Sequence, residues 1–379
     1  MNIATKMTSN VAQDQRFIDA ALRLARRHQG LTGTNPSVAC VIVAQTDFGA
    51  KIVGSGITAE GGRPHAEPPA LAEAGELAKG ATAYVTLEPC AHHGKTPPCA
   101  QNLIDSGVAR VVTAITDPDN RVNGKGHQML IEAGVEVTRM DGGEAALRVM
   151  QGYLKARTSS RPFITLKMAM NEDGLIGSSQ KGNLKISGKE SSRQTHLHRV
   201  RHHAILVGST TAFFDDPSLD CRLSGLQARS PIRVVLDEKS KLAENSNVIA
   251  TALKTQTIIV SPITAPQEWR EMLARNGVQH QACEIANGRV ALPELMDDLA
   301  AKGIQSIMVE GGARIADSFL KEDLVDELVI HVGGNPDKPA TLDHAVYAPF
   351  TSKKLPLGFE VCQTLQFGED TSLRLRKKS

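Results

Sequence analysis

The chain has 379 residues, 41% of them hydrophobic and 22% charged; this excludes disordered and fibrous classes and leaves room for two domains with separate cores. Lys and Arg (43) exceed Asp and Glu (41) by only two. The chain therefore has no overall footprint for nucleic acid, and a phosphorylated small molecule, which needs only a few placed cations, is the expected partner.

No apolar run approaches the ~18 residues of a membrane span, and no signal-peptide core is present. The six cysteines at 40, 90, 99, 221, 283 and 362 lack framework spacing. A cytoplasmic protein with reduced thiols and no membrane partner is expected. In chain order, residues 14–28 place Phe17, Ile18, Ala21, Leu22, Leu24 and Ala25 at helical spacing. Asn35-Pro36 breaks the chain before a buried strand over 38–43, and 51–57 completes a hairpin around a turn at 47–49. A helix over 65–78 tolerates Pro68 and Pro69 because they lie near its first turn. Strands at 84–87, 108–115 and 135–137 alternate with helices near 100–106 and 126–133, the pattern of an α/β layer sandwich.

A helix over 144–156 ends in RTSSRP (157–162), where Pro162 sets the boundary between domains 1–156 and 157–379. Strands then recur at 163–168, 204–207, 233–236, 257–260, 306–309 and 328–332. Helices intervene at 189–201, 267–275, 293–301 and 313–320, and strand-like segments near 358–366 and 371–376 close the chain. This predicts a second α/β domain.

The sharpest signal is His65-Ala66-Glu67 followed by Pro89-Cys90 and Cys99. A catalytic zinc takes three protein ligands and keeps one position open for water. The imidazole of His65 and the thiolates of Cys90 and Cys99 supply the three. Glu67, on the opening turn of a helix, can face that water and move protons without ligating the metal. Zinc deaminases of nucleobases carry H-x-E and P-C-x-x-C; here AHHGKTPP puts eight residues between the cysteines instead of two. A closed structural site would need a fourth ligand, from His92 or His93, and the placement of Glu67 argues against it.

The second half has no G-x-G-x-x-G and so no Rossmann crevice. Val309-Glu310-Gly311-Gly312-Ala313 carries a strand end through two glycines into a helix, where main-chain amides can approach a phosphate. Gly208-Ser209-Thr210-Thr211 is a second such turn, and the two suggest one crevice in an open sheet. Asp215-Asp216-Pro217 reads as a turn with capping aspartates. The remaining cysteines read as small buried apolar residues, and His196, His198, His202 and His203 lack a further ligand at metal spacing.

Eight stretches resemble, in the same order, the bifunctional deaminase/reductase family of riboflavin biosynthesis. They are TNPSVACVIV (34–43), HAEPPAL (65–71), TLEPCAHHGKTPPC (86–99), TDPDNRVNGKG (116–126), RPFITLKMAMNEDG (161–174), ILVGSTTAFFDDPSLDCR (205–222), RVVLD (233–237) and VEGGARIADSFL (309–320). The resemblance implies a cytidine-deaminase-like α/β/α sandwich followed by a dihydrofolate-reductase-like α/β domain, with Zn2+ in the first and NADPH in the second. It implies hydrolytic deamination of a phosphoribosylamino-diaminopyrimidinone, then reduction of its ribosyl group to ribityl. A homo-oligomer is expected.

By motif match, the resemblance puts Asn35, His92, Lys95, Asp117 and Asp119 around the first substrate. In the second domain Asn183, Arg199, Leu219, Arg222 and Glu310 match substrate positions, with the two arginines suited to a phosphate. Ala169, Lys185, Thr211, Asp215, Gly311, Gly312 and Ala313 match the cofactor side. Lys167 is the candidate for polarising the imine or sugar oxygen, with pairing to Glu310 as its plainer role. The chain departs from the family pattern at Ala39 (usually Gly), Thr58 (commonly His), Pro68-Pro69 (Val-His), Asn183 (Ser) and Lys185 (an aromatic, commonly Trp). Thr58 removes a ring that could meet the substrate, and Lys185 removes one that could pack on the cofactor. Two other readings are a tRNA-type base deaminase, disfavoured by the near-neutral charge, and a second domain that binds ligand or assembles without reducing, which only Lys185 favours.

Overall fold

The structure, a computed structural model, describes residues 3–93, 97–178, 186–286, 288–333 and 344–378. The chain divides into two compact units, Met1–Ser160 and Arg161–Ser379. None of the described helices is long and apolar enough to cross a membrane.

The first unit runs α1 (Ile3–Ala25), β1 (Ala39–Thr46), β2 (Gly49–Ile57), α2 (Glu67–Ala74), β3 (Thr82–Val85), α3 (Cys99–Asp105), β4 (Arg110–Thr113), α4 (Lys125–Glu132), β5 (Glu136–Arg139) and α5 (Gly143–Ser159). Its strands form one sheet in the order β2-β1-β3-β4-β5. β1 is antiparallel to β2 and β3, whereas β3, β4 and β5 run parallel. α1 and α5 pack together, and α2, α3 and α4 pack in series, as the outer layers of the expected sandwich. The apolar stripe of α1, Phe17, Ile18, Ala21, Leu22 and Ala25, is buried against that sheet. The helix begins well before residue 14, over a stretch whose sequence carries no apolar period.

Two further differences have local causes. The helical stretch over 65–78 is α2 followed by a 3₁₀ turn, Gly75–Ala78. At the other end, residues 157–159 continue α5 instead of leaving it. Arg157 lies 5.3 Å over the Tyr153 ring, and Thr158 Oγ1 donates to the Leu154 carbonyl at 2.9 Å. Ser160, at φ 55°, ends the helix, so the division falls after Ser160 instead of after residue 156.

α2 lies directly on β2 because β2 has no side chains in the way. A Cβ at Gly54 would run into the Ala70 carbonyl, and one at Gly56 into the Ala66 carbonyl. This close approach fixes the helix turn that carries Glu67.

The second unit runs β6 (Phe163–Met170), β7 (Leu175–Ser178), α6 (Lys189–Arg199), β8 (Ala204–Gly208), α7 (Ser209–Asp215), β9 (Ile232–Leu236), α8 (Asn247–Ala250), β10 (Thr257–Pro262), α9 (Gln267–Arg275) and β11 (Gln279–Cys283). It continues with β12 (Ile285–Ala286), β13 (Arg289–Val290), α10 (Leu292–Ala301), β14 (Ser306–Val309), α11 (Ala313–Lys321), β15 (Glu327–Val332), β16 (Ala345–Tyr347), β17 (Phe359–Phe367) and β18 (Asp370–Lys377). Nine strands form one sheet in the order β11-β10-β9-β8-β14-β6-β15-β18-β17. From β11 to β15 neighbours run parallel, and β18 and β17 close the edge antiparallel.

The period of two sorts β6. Ile164, Leu166, Met168 and Met170 join Leu295, Leu299 and Phe319 in a core, so Thr165, Lys167 and Ala169 face the other way. On that side His202 Nε2 stands 3.0 Å from Thr165 Oγ1. Lys167 therefore sits on a polar face of an otherwise apolar strand.

Candidate active sites

In the first unit the turn before α2 and the start of α3 converge. His65 Nδ1 lies 3.4 Å from Cys99 Sγ and 3.7 Å from Cys90 Sγ, and the three ligand atoms all fall within 4.8 Å of one another. Tetrahedral zinc with ordinary bond lengths needs N···S edges of about 3.6 Å, so the residues fit that ion. The Cys99 amide, at the first residue of α3, donates to Cys90 Sγ at 3.3 Å. That thiol is lowered to about 4, chiefly by its hydrogen bond with the Cys99 thiol and further by His65. Glu67 is 3% exposed on the opening turn of α2, beside the cluster. Burial pushes its carboxyl up, as a group that must hold and release a proton requires.

His65, Glu67 and Cys90 open on a cavity of about 340 Å³. Asn35, His92, Asp117 and Asp119 line it, so the structure brings four of the five residues matched to the first substrate to the metal cluster. Lys95, the fifth, lies outside the described residues. His92 Nδ1 is buried with no hydrogen-bond partner among the described residues. Asn35 packs against Gly62, at φ 92°, where a Cβ would run into the Asn35 side chain.

The carboxylates are less free than a bare motif suggests. Asp117 accepts from Tyr153 Oη at 2.9 Å and from the Asp119 amide at 2.9 Å. Asp119 accepts from Arg121 Nε at 2.9 Å and Nη2 at 2.6 Å; Arg157 Nε lies 3.5 Å away. Arg121 foremost holds the Asp119 carboxyl well below the usual carboxylate range. Thr58 lines the cavity, and its hydroxyl accepts from the Val38 amide at 3.0 Å. The hydroxyl thus ties down backbone where the family has a ring.

Several contributors escape a motif reading. Arg63, Arg121 and Arg157 bring cations to the same cavity. Glu88 is buried and accepts from the amides of Asp117, Gly124, Gly126 and His127 at 3.0 to 3.3 Å. It pins the 116–126 loop beside the cysteines. In the sequence Glu88 stands out only as the acid before Pro89-Cys90.

In the second unit, Arg199 on α6 donates from Nε to Glu310 Oε1 at 2.7 Å and from Nη2 to Oε2 at 2.9 Å, while Nη1 reaches the Asp220 carbonyl at 2.8 Å. Burial alone would raise the Glu310 carboxyl, but Arg199 overrides it and holds it at about 2. Glu310 gives both oxygens to Arg199, and no Lys167–Glu310 ion pair forms among the described residues. Burial lowers the Lys167 amine, with Glu310 opposing the shift. Arg222 is exposed and holds Asp220 at 3.0 Å. The expected pair of phosphate-clamping arginines is thus split, with Arg199 committed to Glu310. Leu219 puts its side chain into a core with Ile205 and Val207 at φ 54°, so what it offers a ligand is main chain.

The turns β8–α7 and β14–α11 do share one crevice. A Cβ at Gly208 or Gly311 would press on Ile315, whereas one at Gly312 would only reach Thr211 Oγ1 at 4.0 Å. The crevice is a cavity of about 570 Å³ lined by Ser209, Thr211, Gly312 and Ala313, together with Glu238 and Arg289, which no motif indicated. Bare amides at the start of α11 suit a dinucleotide's pyrophosphate. Ala169, Asp215 and Gly311 lie outside its walls. Ala169 is opposite His331 on β15, and Asp215 ends α7 with its carboxyl raised by burial. Asp216 accepts from the Asn247 amide at 2.8 Å, at the start of α8. Asn183 and Lys185 lie outside the described residues.

Residues 11–115 match the cytidine and deoxycytidylate deaminase zinc-binding region, and residues 162–334 match the RibD C-terminal domain. The riboflavin biosynthesis protein RibD of Haemophilus influenzae is 37% identical over 85% of this chain and 86% of its own. RibD of Aquifex aeolicus is 38% identical over 84% of this chain and 86% of its own. Among solved structures, Acinetobacter baumannii RibD superposes with a TM-score of 0.81 at 33% identity, covering 97% of this chain and 100% of its own. The diaminohydroxyphosphoribosylaminopyrimidine deaminase/5-amino-6-(5-phosphoribosylamino)uracil reductase of Thermotoga maritima gives 0.81 at 28% identity, over 96% and 99%.

Proposed function

This chain belongs to the RibD family of riboflavin biosynthesis proteins, and from that premise we propose how its residues divide the work. It is a bifunctional enzyme, a zinc-dependent deaminase and an NADPH-dependent reductase. The reading assigns it the two substrates in the name of the Thermotoga maritima relative, taken in sequence.

In the first site His65, Cys90 and Cys99 hold the ion, which when bound makes water a stronger acid. Glu67 takes a proton from the attacking water and delivers it to the departing amine, so that water adds at the ring carbon and ammonia leaves. His92 and Asn35 hold the ring and ribose. Arg63 and Arg157, at the cavity, attract the phosphate, with Lys95 sharing that task by its match. The single observation that carries the reading is the His65, Cys90, Cys99 triangle with Glu67 buried beside it.

In the second site the main-chain amides of the Gly312-Ala313 turn would hold the pyrophosphate of NADPH. Lys167 polarises the oxygen or imine at C1 of the ribose, helped by a burial that makes its proton easier to give. Glu310, fixed by Arg199, orients the substrate; Arg222 meets its phosphate, with Asn183 and Leu219 alongside and Ala169, Lys185, Asp215 and Gly311 on the cofactor side. A cytoplasmic location and a homo-oligomer belong to the same reading. Phe213 and Phe214, both exposed on α7, are apolar surface of the kind a subunit contact covers, and sedimentation tests this.

The decisive experiment couples metal analysis of the purified protein to product identification with and without NADPH. One zinc per chain, ammonia release without NADPH, and NADPH consumption only after deamination are expected. Full activity in metal-free protein would overturn the first half, and absence of NADPH consumption the second.

A further inference from the structure

In the sheet of the second unit β9, β8, β14 and β6 are neighbours in that order. Lys167 is on β6, Glu310 and the Gly312-Ala313 turn follow β14, Ser209 to Thr211 follow β8, and Glu238 follows β9. Adjacent strands are about 4.8 Å apart, so the row spans roughly the length of an extended dinucleotide. A dinucleotide whose reacting ring met Lys167 and whose pyrophosphate met the turn after β14 would bring its adenosine ribose beyond β8, to the end of β9. This placement rests on the reading of the second site given above.

Glu238 stands at that end. It lines the cavity, and its Oε2 accepts from Ser209 Oγ at 3.2 Å, which holds the carboxylate over the β8–α7 turn. A carboxylate at this place is a good acceptor for a ribose diol and a poor neighbour for a phosphate on the 2′ oxygen. The cavity's cations are Arg289, Arg314 and Lys321. Arg289 Nη1 reaches Ser318 Oγ on α11 at 3.3 Å, and Lys321 Nζ holds Asp317 at 2.8 Å. These tie Arg289 and Lys321 to α11, not to β9. The other acids of the wall, Glu294 and Glu322, belong to α10 and the end of α11.

We propose that Glu238 is a specificity-determining residue for the reductant, binding the adenosine ribose diol and disfavouring a 2′-phosphate there, so that NADH competes closely with NADPH. The test is binding, read on the full chain by the fluorescence of NADPH and NADH on complex formation and by competition with 2′,5′-ADP and 5′-ADP. Removing one negative charge beside the 2′ position in Glu238→Gln, and in Glu238→Ser as a second variant, shifts the affinity ratio towards NADPH by about tenfold. The same shift is expected between 2′,5′-ADP and 5′-ADP. If both dinucleotides bind the unaltered protein and neither variant moves the ratio by about fivefold, the inference falls while the cleft assignment stands. If neither dinucleotide binds the unaltered protein, the cleft assignment fails and the inference fails with it.

Discussion

Arg199 and Glu310 form a two-point ion pair at 2.7 and 2.9 Å between α6 and the end of β14, with side chains only 10% and 14% exposed. A guanidinium fork matched to a carboxylate is the geometry that survives burial, because each charge is both neutralised and hydrogen-bonded. Removing one partner leaves the other charged and dry. Glu310→Ala should cost the second unit about 3–5 kcal/mol, measured by urea unfolding. The deaminase rate should remain near that of the unaltered protein.

The same pair predicts an acid limit. The folded Glu310 carboxyl, at about 2, lies below its ordinary 4.5, so its stabilisation is complete above pH 4.5 and is lost as the pH falls towards 2. Roughly 3 kcal/mol is involved. Thermal unfolding followed between pH 5 and 3 should show this loss, and it should shrink in Glu310→Gln.

Glu67 carries protons and binds no metal in this arrangement. Glu67→Gln should retain the zinc, measured by metal content, and lose ammonia release by about 10²–10⁴-fold. NADPH oxidation with the deaminated substrate should continue. Deamination at the original rate would remove Glu67 from its role.

Chelation should abolish ammonia release and spare NADPH oxidation, since the one cluster of metal-ligating side chains among the described residues lies in the first unit. Two thiols, Cys90 and Cys99, should at the same time become reactive towards a thiol reagent. Re-addition of zinc should reverse both effects.

Gly56 is a positional requirement of the first site. A methyl group there would meet the Ala66 carbonyl and press on Pro69. Gly56→Ala should cost about 1–3 kcal/mol through overpacking and should lower deamination by displacing the turn that bears Glu67. Gly177→Ala, where no atom lies within 4 Å of the added carbon, is the matched control and should change neither.

The layers of both units, and the His65, Glu67, Cys90, Cys99 set, are determined by the amino-acid order alone. Helical and strand periods are local, as the stripe from Phe17 to Ala25 and the alternation of Ile164 to Met170 illustrate. Metal-ligand chemistry is equally a property of residue type and order. The short strands β7, β12, β13 and β16, two to four residues each, are too brief to carry a period. Only the tertiary structure decided that Arg199 spends itself on Glu310, that Asp119 is held by Arg121 and Arg157, that Glu88 pins the loop beside the cysteines, and that Glu238 enters the cleft. Arg199 and Glu310, 111 positions apart, have no shared pattern in the chain. Their pairing follows from which strands become neighbours in the sheet, and strand order is settled by the packing of the whole unit.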